Sequence, residues 1–152
     1  MAKLLIVDDD IRLRKLVRTY GEVEHYECEE AADGLSALEN LQDADFDLVI
    51  LDVMMPGLDG FETLERIRKT SEIPVIMLTA RSEEYDKLTG FDLGVDDYVS
   101  KPFSPKELMA RVGAVLKRNR KTPVRNSFTY GELEIRPDSR IASVPRVKAR
   151  PK

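Results

Sequence analysis

Five short apolar runs, each followed by a helical pattern, recur through the first 116 residues, and this alternation constrains the fold most. The runs cover residues 3–7, 26–32, 47–51, 74–78 and 97–99. Between them, Ile11, Val17 and Tyr20, with Leu13 and Leu16 beside them, recur at helical spacing. Leu35, Leu38 and Leu41 do the same, then Phe61, Leu64 and Ile67. Residues 83–93 predict a fourth helix. Leu108, Val112, Val115 and Leu116 give the inner face of a fifth. Ser104 caps that helix, with Pro105 at its first position and Glu107 two residues on. Strand–helix repeats of this length predict an α/β fold: a doubly wound, five-stranded parallel sheet with five helices on its two faces. Right-handed crossovers then gather every strand's C-terminus at one edge, where such sheets bind ligands.

Charge divides the chain. The net charge is −4, but residues 117–152 hold 11 Lys/Arg against 3 Asp/Glu, which leaves −12 on residues 1–116. Such a split marks a boundary between units with different partners. Residues 1–118 are expected to form one domain and 119–127 a linker. In 128–152, Phe128, Tyr130, Leu133, Ile135, Ile141 and Val144 suggest short strands. That segment is too short to bury a core of its own, so a β-rich or disordered fragment is expected.

No apolar stretch approaches the about 18 residues of a membrane span, and no secretion signal opens the chain. Cys28 is the single cysteine and is expected to be buried and inert. A cytoplasmic location without a membrane partner fits these features. Gly21 falls late in the first helical pattern, where a larger residue is expected to pack better. His25, the only histidine, sits in a turn that calls for a positive φ.

The strand ends carry the chemistry. Asp8-Asp9-Asp10 follows the first run, Asp52 the third, Thr79 the fourth, and Lys101-Pro102 comes shortly after the fifth. Each has an ordinary reading when taken alone: a helix cap for the acidic trio, a turn for Asp52, a backbone-bonded hydroxyl for Thr79, a surface charge for Lys101, a half-buried aromatic for Tyr98. At one sheet edge they acquire a joint reading. A carboxylate attacks a phosphoryl group only when charge repulsion is removed, and Mg²⁺ does this through hard oxygen ligands. Asp9 and Asp52 suit direct ligation, with Asp8 holding the ion or a bound water and the Met54 carbonyl adding a further oxygen. The Lys101 ammonium would pair with phosphoryl oxygens, and the Thr79 hydroxyl would bond another.

Over residues 3–118, the motifs Leu5-Ile6-Val7-Asp8-Asp9-Asp10, Asp47-Leu48-Val49-Ile50-Leu51-Asp52-Val53-Met54-Met55-Pro56-Gly57-Leu58-Asp59-Gly60, Pro74-Val75-Ile76-Met77-Leu78-Thr79-Ala80-Arg81 and Gly94-Val95-Asp96-Asp97-Tyr98-Val99-Ser100-Lys101-Pro102-Phe103 together resemble a response-regulator receiver domain. That resemblance implies a flavodoxin-like sheet, with Asp52 as phosphoacceptor for a sensor histidine kinase. It implies Mg²⁺ held by Asp8, Asp9, Asp52 and the Met54 carbonyl, and a cis Lys101-Pro102 bond. It also implies a switch in which Thr79 moves toward the phosphate and Tyr98 into the space vacated. Phe103-Ser104-Pro105-Lys106-Glu107-Leu108 and Tyr130-Gly131-Glu132-Leu133-Glu134-Ile135 are similar to the OmpR/PhoB class of transcription regulators. In that class the phosphorylated receiver forms a homodimer, and the matching positions pair Lys87 with Glu107, Asp97 with Arg111, and Asp96 with Arg118. The class also carries a winged-helix DNA-binding domain. Residues 128–152 resemble only its opening, without a recognition helix, so operator binding is not expected of this sequence.

Three rival readings fit less well. An aspartate-nucleophile phosphatase needs an acid two residues after its nucleophile, where Met54 stands. A nucleotide-binding domain needs a Gly-rich loop after the first strand, and none is there. A receiver-like domain used only for binding would lack an acid or the lysine, and this sequence has them all. A phosphoacceptor switch, rather than a turnover enzyme, is the expected activity.

Overall fold

The computed structural model describes residues 1–80 and 93–119. Five strands, β1 (Lys3–Val7), β2 (Glu27–Ala31), β3 (Leu48–Asp52), β4 (Val75–Ala80) and β5 (Asp97–Lys101), form one sheet. Their order is β2-β1-β3-β4-β5, and every pairing is parallel. The described helices are α1 (Ile11–Val23), α2 (Gly34–Asp43), α3 (Gly60–Arg68) and α4 (Pro105–Asn119). The helix expected over 83–93 falls almost wholly outside the described residues, as do the strands expected after residue 127. Among the described residues, no helix is long and apolar enough to cross a membrane.

Successive residues of a strand face opposite sides, and the continuous apolar runs therefore feed two cores. Leu4, Ile6, Leu48, Ile50, Ile76, Leu78 and Val99 pack with Val17 of α1 and with Leu108, Val112 and Val115 of α4. Leu5, Val7, Val49, Leu51, Val75 and Met77 pack with Ala37 of α2 and Leu64 of α3. Each fully buried Leu or Ile contributes about 1.5–3 kcal/mol over an exposed one, so the strands are fixed in place from both faces.

Every described helix starts on a polar cap soon after a strand ends. Asp10 accepts hydrogen bonds from the Arg12 and Leu13 amides at 2.9 and 3.4 Å. Asp33 accepts from the Ser36 amide at 2.8 Å. Asp59 and Glu62 cap α3 reciprocally, at 2.8 and 3.0 Å. The Ser104 hydroxyl accepts from the Glu107 amide at 3.3 Å, the cap expected from sequence.

Two expectations about helix faces are corrected. Ile11, Leu16 and Leu35 are exposed, while the buried positions of α1 are Val17 and Gly21 and those of α2 are Gly34 and Ala37. Small residues let these helices approach their neighbours closely. A larger residue at Gly21 would not pack better, because a Cβ there would lie 2.8 Å from Cys28 Sγ. Cys28 itself is buried, as expected; burial, helped by the Glu22 charge, pushes its thiol up to about 11, so it stays protonated and inert. His25 has φ 70°, the positive value its turn demands.

Candidate functional site

The parallel register aligns the charged ends. Val7 pairs with Leu51, Asp52 with Leu78, Thr79 with Ser100 and Ala80 with Lys101. The ladders run further than the apolar runs suggest, so Asp52, Thr79 and Lys101 are strand residues rather than turn residues. Their backbones are fixed by sheet hydrogen bonds, which limits how far their side chains can wander.

Asp8, Asp9 and Asp52 offer carboxylate oxygens that all lie within 4.8 Å of one another. Asp8 is 1% exposed and Asp52 3%, while Asp9 is exposed. The Lys101 ammonium sits 3.1 Å from Asp52 Oδ1 and 3.3 Å from Asp8 Oδ2, and the Lys101-Pro102 peptide is cis. Asp8 Oδ1 accepts the Asp10 amide at 2.9 Å, so Asp10 caps α1 while its two neighbours serve the cluster. Both readings of the acidic trio therefore hold, divided among its members.

The electrostatics are unbalanced. Burial, and then the Asp8 charge, push the Asp52 carboxyl up to about 6, against the pull of Lys101 and a hydrogen bond from the Met54 amide. Burial draws the Lys101 ammonium down, but Asp52 and Asp8 overcome it and hold it above its ordinary value. Among the described residues, the Lys101 ammonium contacts two of the three carboxylates, Asp8 and Asp52. A hard divalent cation with oxygen preference would fit the donor set of Asp8, Asp9 and Asp52 and would relieve the repulsion among their carboxylates.

The loop after Asp52 is shaped by Gly60. A Cβ there would collide with the Asp52 carbonyl and the Val53 backbone, so α3 starts against the end of β3 only because this residue is glycine. The Gly60 amide donates to the Val53 carbonyl at 2.8 Å and closes the loop. Met54 lies on it with an exposed side chain.

Thr79 is 1% exposed, and its hydroxyl donates to the Ala80 carbonyl at 3.4 Å, a weak local bond. Tyr98 is buried against the α2–α3 face of the sheet. Of the residues expected at a dimer face, Arg111 Nη1 meets Asp97 Oδ2 at 3.0 Å, and Arg111 Nη2 meets Glu107 Oε2 at 3.4 Å. Asp96 accepts the Val75 amide at 2.9 Å and stands 3.7 Å from Arg68 Nη2. Arg118 lies in the last turn of α4. Lys87 is outside the described residues.

Sequence reasoning passed over Arg68. Its guanidinium donates to the Ile73 and Gly94 carbonyls, each at 2.8 Å, and ties the end of α3 to the approach to β5. It passed over Arg14 and Glu30 as well. Arg14 Nη1 donates to the Asp8 carbonyl at 2.7 Å and Nε to Glu30 Oε1 at 3.0 Å. Nothing in the local pattern distinguishes these residues from ordinary surface charges.

The chain resembles known proteins in sequence and in fold. The chain is 44% identical over 144 residues to the transcriptional regulatory protein ResD of Bacillus subtilis, covering 90% of this chain and 60% of that protein. It is 52% identical over 119 residues to a CpxR homolog of Haemophilus influenzae, also a transcriptional regulatory protein, covering 78% and 52%. The chain thus spans little more than half the length of these relatives. Among solved structures, the chemotaxis protein CheY4 of Vibrio cholerae superposes with a TM-score of 0.72 at 39% identity, over 76% of this chain and 98% of that one. The receiver domain of Francisella response regulator 1452 gives 0.75 at 36%, over 79% and 100%. The response regulator receiver domain matches residues 4–113, a span that contains the whole acidic edge. The chain belongs to the response regulator receiver domain family.

Proposed function

We propose that this chain is the phosphoacceptor module of a two-component transcription regulator, and that Asp52 takes a phosphoryl group from a sensor histidine kinase. The observation that carries this reading is the buried Asp52 carboxyl, within 4.8 Å of two further carboxylates and 3.1 Å from one ammonium. An Asp52 oxygen attacks the phosphorus, the P–N bond to the kinase histidine breaks, and its electron pair stays with the imidazole. The product is a mixed acyl phosphate. Asp8, Asp9, Asp52 and the Met54 carbonyl would hold Mg²⁺, which when bound neutralises charge on the carboxylates and phosphoryl oxygens. Lys101 stands ready to pair with a phosphoryl oxygen. Met54 occupies the place where an aspartate-nucleophile phosphatase has its acid, so the acyl phosphate is lost only by slow, self-catalysed hydrolysis, in which water takes the phosphoryl group and the Asp52 carboxylate is restored.

The same reading makes Thr79 and Tyr98 the switch. Among the described residues, the Thr79 hydroxyl holds a single weak bond, to the Ala80 carbonyl, and has little to lose by turning to a phosphate oxygen. Lys87, Asp96, Asp97, Glu107, Arg111 and Arg118 would form the homodimer face. Support comes from Asp97, Arg111 and Glu107, which already make one linked charge row. Residues 1–118 would be the receiver, 119–127 a linker and 128–152 the opening of a winged-helix domain, in a cytoplasmic protein whose DNA contact needs that domain complete. The test is intact mass after incubation with Mg²⁺ and a small acyl phosphate. The wild-type chain gains one phosphate and Asp52→Ala none. A phosphate on both, or on neither, overturns the assignment.

A further inference from the structure

We infer that Arg14, braced by Glu30, is a positioning residue that sets the Asp8–Asp9 peptide for cation binding; this rests on the reading of Asp8, Asp9 and Asp52 as a magnesium site. Helix side chains lean toward the helix N-terminus, so Arg14, fourth residue of α1, reaches back over the β1–α1 loop. One arm of its guanidinium donates to the Asp8 carbonyl at 2.7 Å, and Nε donates to Glu30 Oε1 at 3.0 Å. Both side chains are nearly buried, at 12% and 11% exposure. The carbonyl it grips belongs to the peptide that joins the two acids. The other side of Asp8 is anchored to the same strand, because its amide donates to the Ala31 carbonyl at 3.2 Å. Adjacent residues of β2, Glu30 and Ala31, thus hold the Asp8 main chain from both directions, one of them through Arg14.

A cation in this place runs against local preference. The N-terminal turn of a helix favours anions, and α1 has no acidic residue there. A local rule broken next to a site is the pattern expected when geometry at that site is the return. Only a planar fork spans the two acceptors; a lysine has one point charge to offer. Arg18 supplies an internal control. It also binds Glu30, at 3.1 Å, but makes no bond to Asp8 among the described contacts.

The experiment titrates the full chain with magnesium chloride alone, by calorimetry, on wild type, Arg14→Ala, Arg14→Lys and Arg18→Ala, with stability followed by urea unfolding. Arg14→Ala is expected to weaken magnesium by about tenfold or more, and Arg14→Lys by less, while Arg18→Ala stays within about twofold. Should Arg14→Ala not fold, Arg14→Lys carries the test through its weakened binding. Wild-type affinity in the Arg14 variants that fold, or equal losses in Arg14→Ala and Arg18→Ala, overturns the inference while leaving the magnesium site standing. A wild-type chain that binds no magnesium overturns the site and the inference together.

Discussion

Two carboxylates on the strands that flank β1, Glu30 on β2 and Asp52 on β3, are both withdrawn from water, yet they are shifted in opposite directions. Burial alone would raise Glu30, but hydrogen bonds from Arg18 and Arg14 and the charge of Lys15 outweigh it and hold its carboxyl below the usual range. Asp52 has one lysine, shared with Asp8, and burial wins. The difference is a count of cations. Glu30 is a finished strut, its charge answered by the chain itself. Asp52 sits in a cluster that Lys101 does not balance, and the proposed magnesium ion would supply the remaining charge. Function lies where the chain leaves its electrostatics incomplete.

The largest effect that separates the two sites is on phosphate uptake: Asp52→Ala loses it entirely, while Glu30→Gln keeps the acceptor. Next comes stability. Glu30→Ala strands Arg14 against a nearly buried surface, and it is expected to cost about 2 kcal/mol in urea unfolding. Asp52→Asn removes a buried charge and its clash with Asp8, and is expected to stabilise the metal-free protein by about 1–2 kcal/mol at pH 7, since burial and Asp8 together outweigh the Lys101 attraction. A destabilised Asp52→Asn would show that Lys101 already balances the site.

The pH dependence separates them by sign. Folding raises the Asp52 carboxyl from 3.8 to about 6, so the folded state binds its proton more tightly. That contribution to stability is full below pH 3.8 and is lost as pH rises to about 6. The Glu30 contribution runs the other way: it is present above its unfolded value of 4.5 and is lost as pH falls through the lower folded value. Urea unfolding from pH 4 to 7 should show a falling component that vanishes in Asp52→Asn. Its persistence in that variant would assign it to another group. The smallest effect belongs to the half-exposed Arg111 row. Arg111→Ala is expected to change monomer stability by less than about 1 kcal/mol while abolishing phosphate-dependent dimerisation in sedimentation. Undiminished dimerisation would remove Arg111 from the face.

The acidic edge was legible in the sequence because buried parallel strands are written as unbroken apolar runs. Their ends are therefore visible, and topology does the gathering: Asp8, Asp9, Asp52 and Lys101 meet though 93 residues separate the first from the last. Helix faces were less legible. Periodicity weighs large apolar residues, so it put Ile11, Leu16 and Leu35 inside, whereas close approach is made by Gly21, Gly34 and Ala37. Arg14 and Glu30 stayed hidden for a related reason. Their pairing spans 16 residues and two element types, and each looks like a solvated charge in its own segment.

The unfinished charge at Asp52 is tested most directly by the metal dependence of its phosphorylation. The chain is incubated with a small acyl phosphate, with Mg²⁺ or with chelator, and the phosphate is located by peptide mass. One phosphate on the peptide that contains Asp52, formed with Mg²⁺ and not with chelator, is the predicted result. Phosphate at another residue, or equal uptake with chelator, would contradict it.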